Sequence, residues 1–110
     1  MRKIESELCN AIRNFRPFHK DNTAFVRMAG TEEGWQLCLH GNPIACFDQD
    51  GKNPTIPTYV SLAGYPTRTT CSRLNALEEV NVRIKGGVPY LNGREIDVDG
   101  WWSPCNLSCY

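Results

Sequence analysis

Three pairs of turn-forming residues, Gly41-Asn42, Gly86-Gly87 and Asn92-Gly93, each sit between short runs in which apolar and polar side chains alternate. Such residues tolerate the positive φ of a tight turn, and a tight turn between alternating runs joins two antiparallel strands. Trp35, Leu37 and Leu39 alternate with Gln36, Cys38 and His40 before the first turn, and Ile44-Ala45-Cys46-Phe47 leaves it. Val82 and Ile84 alternate with Arg83 and Lys85 before the second, which leads into Val88-Pro89-Tyr90-Leu91. Asn92-Gly93 then turns the chain into Arg94-Glu95-Ile96. The chain is therefore committed to hairpins.

Two more strands read from the same two-residue period. Residues 23–29 set Ala24, Val26 and Met28 against Thr23, Phe25 and Arg27, and Tyr59-Val60-Ser61-Leu62 forms another. Pro43 lacks an N–H for a ladder, so it belongs at a strand's first residue or at an edge. Helical spacing appears at Ile4, Leu8, Ala11, Ile12 and Phe15, with Arg2, Lys3, Glu5, Arg13 and Asn14 elsewhere around the turn. Pro17 disfavours helix at Arg16, so this helix should stop there. Leu74, Ala76 and Leu77 suggest a second, shorter helix ending near Glu79. The expectation is a small single α+β domain over 1–110. It has an antiparallel sheet of about five to six strands covered on one face, an N-terminal helix over 1–16 and a packed Trp/Cys tail over 97–110.

Length and charge narrow the function. A chain of 110 residues fits one domain. Twelve basic residues balance twelve acidic ones, which argues against a general DNA-coating protein and against a carboxylate-built DNA mimic. No run approaches the ~20 apolar residues that span a bilayer. The start, Met1-Arg2-Lys3-Ile4-Glu5-Ser6-Glu7, lacks the apolar core of a signal peptide, so a cytosolic setting and no membrane partner are expected. In a reducing compartment the six cysteines default to thiols.

Chemistry concentrates at the joint Gly64-Tyr65-Pro66-Thr67-Arg68-Thr69-Thr70-Cys71-Ser72-Arg73. Thr69 or Thr70 would cap the second helix. Free N–H groups and the dipole at a helix start suit an anion, and Arg68 and Arg73 would add bidentate contacts to phosphate. Tyr65 would stack on a base, while Arg83 and Lys85 share a strand face that could extend the basic surface. The bland reading is that Thr-Thr is an ordinary cap, that Gly64 and Pro66 are turn residues, and that the arginines pair with Glu78 and Glu79.

Other motifs are weaker. Cys105 and Cys109 have zinc-pair spacing, and Cys38 with His40 would complete four ligands, but no second cysteine pair repeats the spacing. No metal and no cofactor is expected. Cys71 at a helix start would have a lowered pKa, the one hint of a nucleophile. Without a phosphate loop, metalloprotease helix or nucleophile elbow, we expect no enzymatic activity. Trp101-Trp102 would form a stacking platform or a protein hot spot, and neighbours on an extended chain point opposite ways.

Two segments, Leu39-His40-Gly41-Asn42-Pro43-Ile44-Ala45 and Ala63-Gly64-Tyr65-Pro66-Thr67-Arg68-Thr69-Thr70-Cys71-Ser72-Arg73-Leu74-Asn75-Ala76-Leu77, resemble small uncharacterised accessory proteins of tailed bacteriophages. The pattern is a Leu-His-Gly-Asn-x-Ile-Ala strand turn followed by a Gly-aromatic-x-Thr-x-Thr-Thr joint and an Arg-Leu-Asn helix. Tyr65 stands where the pattern has tryptophan, and Cys71 where it has a polar residue. The resemblance covers about half of the chain and carries no activity with it. It implies a phage accessory protein in the host cytoplasm, with a nucleic acid, a nucleotide or a host bacterial protein as partner.

Overall fold

A computed structural model describes residues 2–104 of the chain. Helix α1 (Lys3–Asn14) buries Leu8, Ala11 and Ile12, as the spacing predicts. It ends one turn before Pro17 because Phe15 takes a left-handed conformation, φ 49°. The Phe15 and Arg16 N–H groups then bond back to Ile12 O and Ala11 O, a Schellman-type end built on a residue other than glycine. Glu5, assigned from spacing to the polar side of α1, is instead buried, for a reason given below.

The chain next forms β1 (Phe18–Lys20), β2 (Thr23–Arg27), β3 (Gly34–Leu39), β4 (Asn42–Asp48) and β5 (Tyr59–Val60), one antiparallel sheet in sequence order. Helix α2 (Arg68–Asn75) follows, then β6 (Val82–Lys85), β7 (Val88–Leu91) and β8 (Arg94–Glu95), a second antiparallel sheet. The α+β class stands. The strands divide into two sheets, where one sheet of five to six was expected. Strand β1 escaped the sequence reading because three residues are too short to show a period.

All three turn pairs close hairpins, with one shift. In the first, His40 (φ 52°) and Gly41 (φ 80°) take the positive φ values rather than Gly41 and Asn42. Asn42 already opens β4, and Pro43 falls where the β3–β4 register slips between Leu37 and Cys38, a place that needs no ladder donor.

The core lies between the inner face of the first sheet and a layer of α1, α2 and the second sheet. Phe25, Trp35, Leu37, Ile44 and Phe47 meet Leu8, Ile12, Leu74, Val82, Leu91 and Ile96 there. Phe25 and Trp35 stack with centroids 4.9 Å apart, and Phe47 meets Phe25 edge-on at 5.4 Å. Past β8 the chain returns to the first sheet. The Trp102 N–H and C=O both bond to Val60 at 2.9 Å, extending the sheet beyond β5. Trp102 packs against the core while Trp101 is 45% exposed, the opposite pointing expected of neighbours. Gly100 makes this possible, since a Cβ there would lie 2.6 Å from Trp102 Nε1. Cys105 and Cys109 fall outside the described residues.

Candidate functional site

The joint between β5 and α2 is built by local hydrogen bonds. Ser61, buried, donates its N–H to Ile44 O, and its hydroxyl accepts from the Ala63 N–H at 3.0 Å. Ala63 (φ 53°) and Gly64 (φ 79°) then make a turn closed by Tyr65 N–H to Leu62 O at 2.9 Å. The Gly64 N–H reaches Val98 O at 2.7 Å, and a Cβ on Gly64 would lie 3.1 Å from Asp99 Oδ1. Glycine answers both the φ and the crowding.

Helix α2 begins earlier than the sequence suggests. Thr67, not Thr69 or Thr70, is the cap: its backbone is extended and its Oγ1 accepts from the Thr70 N–H at 3.1 Å. Thr70, buried, places its own hydroxyl 2.9 Å from Thr67 Oγ1. Thr67→Ala removes both contacts and should cost about 1 kcal/mol in urea unfolding, with Thr67→Ser close to the parent. A Thr67→Ala variant as stable as the parent would disprove the cap.

This capped start faces the His40-Gly41 turn across a cavity of about 480 Å³. Leu39, Ile44 and Leu62 form an apolar floor, and His40, Asn42, Tyr65, Thr67 and Thr69 supply polar groups around it. Tyr65 is 57% exposed. Arg68, at the first helical position, is exposed, and the first turn of α2 carries no acidic residue. The two segments that carry the phage-protein pattern thus meet around one concavity, although some twenty residues separate them in the chain.

The rim is tied to the interior. His40 donates its N–H to Asn22 O at 2.8 Å, and its Nε2 lies 3.5 Å from Asn22 Nδ2. Thr23 Oγ1 donates to Asn22 Oδ1 and accepts from Arg73 Nε at 3.0 Å. Arg73 Nη1 donates to Glu5 Oε2 at 2.8 Å, and Ser72 Oγ donates to the same oxygen at 2.5 Å. Both members of the ion pair are buried. Burial pushes the Glu5 carboxyl up, but the bonds from Ser72 and Arg73 and the Arg73 charge outweigh it and leave the pKa below its ordinary value.

The expected phosphate contacts therefore separate. Tyr65, Thr69 and Thr70 line the cavity, and Arg68 stands beside it. Arg73 does not reach a ligand: its guanidinium turns inward to Glu5, not to Glu78 or Glu79. Arg83 and Lys85 are exposed on β6 and lie outside the cavity lining. Burial raises the Cys71 thiol, opposite to the lowering expected at a helix start. Cys38 is buried and likewise raised, while His40 is exposed on the rim. His40, Asn42 and Thr67 were missed as site residues. The signal available was the repeated pattern itself, which joined the His40 turn to the Thr67 joint.

Comparison with known families matches residues 1–104 to the Kyanoviridae Gp96 protein family. The chain belongs to that family. The Kyanoviridae Gp96 match spans α1, both sheets and the cavity, so it extends the phage resemblance over the first helix and the second sheet as far as residue 104. Comparison with curated proteins and with solved structures returns no match. Among the described residues, no helix is long and apolar enough to cross a membrane.

Proposed function

We propose that this Kyanoviridae Gp96 protein is a non-enzymatic binding protein that holds a nucleotide, free or at the end of a nucleic acid. The observation that carries the reading is the cavity between the His40 turn and the start of α2. Its apolar floor suits a base or a nucleoside, and the polar groups around it can fix orientation. Tyr65 offers an exposed ring for stacking. Arg68 and the N-terminal N–H groups of α2 supply the phosphate end, with no carboxylate in that turn to oppose them.

Calorimetric titration with nucleoside mono- and triphosphates and short single-stranded oligonucleotides tests this at low and high salt. Binding should weaken as salt rises. Arg68→Ala and Tyr65→Ala should each reduce affinity roughly tenfold or more, in line with ~1–3 kcal/mol per stacked base. Arg83→Ala should leave it unchanged. No heat from any nucleotide, or affinity indifferent to Arg68→Ala, would refute the reading. A second reading is modulation of a host bacterial protein, favoured by the exposed Trp101. It predicts a stoichiometric host partner in pull-downs that Trp101→Ala loses and Arg68→Ala retains.

A further inference from the structure

The first sheet has two faces, and among the described residues the core cluster covers only one. Register places Val26, Gln36, Cys46 and Tyr59 in one cross-strand row over four strands, with Ala24 and Cys38 in the next row. These side chains alternate with the core residues Phe25, Leu37, Ala45 and Val60, so they occupy the outer face. Trp101 precedes the Val60–Trp102 bridge and falls on that face too. None of these residues belongs to the core cluster, although Cys38, in the middle of the sheet, is itself buried.

A sheet face turned to water ordinarily carries polar and charged side chains. This one carries Ala, Val, Cys, Tyr and Trp, one glutamine, and no Lys, Arg, Asp or Glu in either row. His19, paired with Ala24 on the edge strand, adjoins these rows, and Asp48, opposite Gly34, stands in the row beyond them. The small central residues make the face flat, and the aromatic pair stands at one end.

We propose that this face packs against the same face of a second copy of the chain. A two-fold contact requires a surface that matches itself. The two uncharged, shallow rows meet their own copy without like-charge repulsion, with Asp48 at the margin, and the chain's zero net charge adds none at longer range. Strand addition at the β5 edge is barred, because Trp102 already occupies it, and the other edge, β1, offers only three residues. Six strand positions at ~4.8 Å and about five residues at ~3.3 Å give roughly 24 by 17 Å. Two such faces together bury on the order of 1,000 Å², the lower end of specific interfaces, so the dimer should dissociate on dilution.

Sedimentation velocity on the full chain from about 5 to 500 µM should show passage from monomer to dimer. Val26→Lys and Tyr59→Lys should each weaken association at least tenfold, while Lys85→Glu, on the second sheet, should not. Circular dichroism confirms that each variant folds, which half-exposed positions permit. A monomer at every concentration overturns the proposal, whatever else co-purifies. A dimer indifferent to both face variants overturns it as well. Nucleotide binding is not involved in either outcome.

Discussion

Replacing Arg73 by methionine should cost about 3–5 kcal/mol at neutral pH, because it leaves the Glu5 carboxylate buried without its counter-charge. The size of the pH dependence separates this cause from a packing defect. In the parent, Glu5 has a folded pKa below its ordinary 4.5. The folded state therefore holds that proton less tightly than the unfolded chain. The contribution is present above about 4.5 and is lost as pH falls through the lower, folded value. In Arg73→Met the Arg73 bond and charge are gone while the bonds from Ser72 and the Arg2 backbone remain, so the Glu5 pKa should rise from its parent value. Stability of that variant should then gain less than the parent's as pH rises through the 4.5 region. The double variant Glu5→Leu/Arg73→Met should recover much of the loss, since an apolar pair of similar volume commonly replaces a buried ion pair at little cost. Urea unfolding from pH 3 to 7 reads all three. A single variant within 1 kcal/mol of the parent at pH 7 would show that the pair is not buried as described.

The second large effect is expected at Trp35. Its ring stacks on Phe25, meets Phe15 at 5.8 Å and lies under Arg27, whose guanidinium carbon is 5.1 Å from the ring centroid. Its Nε1 donates to Gln49 at 2.9 Å. Trp35→Ala empties the centre of the first sheet and should cost roughly 3–5 kcal/mol. Trp35→Phe keeps the stack and frees only Gln49, which is exposed to water, so it should cost much less. Equal losses in the two variants by chemical denaturation would mean that the hydrogen bond, not the aromatic cluster, holds the ring.

The contrast between these residues explains what the sequence disclosed. Trp35 was legible because a strand repeats every two residues, and Trp35, Leu37 and Leu39 announce a buried face. The hairpins were legible because Gly86-Gly87 and Asn92-Gly93 can do little else. The Glu5–Arg73 pair was not: periodicity puts a carboxylate on the polar side of α1, and only tertiary packing brings α2 over it. Its burial also removed Arg73 from the phosphate set that composition suggested. The site was half legible for a related reason. Tyr65, Thr69 and Thr70 sit in one local stretch, whereas His40 and Asn42 join them through a hairpin whose position no local rule supplies. Thr67 was passed over as cap because Thr-Thr two residues later looked equally suitable.

The ion pair also bears on how the chain is made. Glu5 and Arg73 lie 68 positions apart. At ribosomal rates of ~5–20 residues per second, α1 waits roughly 3–14 s before its partner is even synthesised. During that interval the apolar stripe of Leu8, Ala11 and Ile12 has only the nascent hairpins to lie against. The hydrogen-bonded chain from the His40 rim to Glu5 cannot close until α2 has emerged, so the cavity should acquire its shape late, in one step with the docking of the first helix.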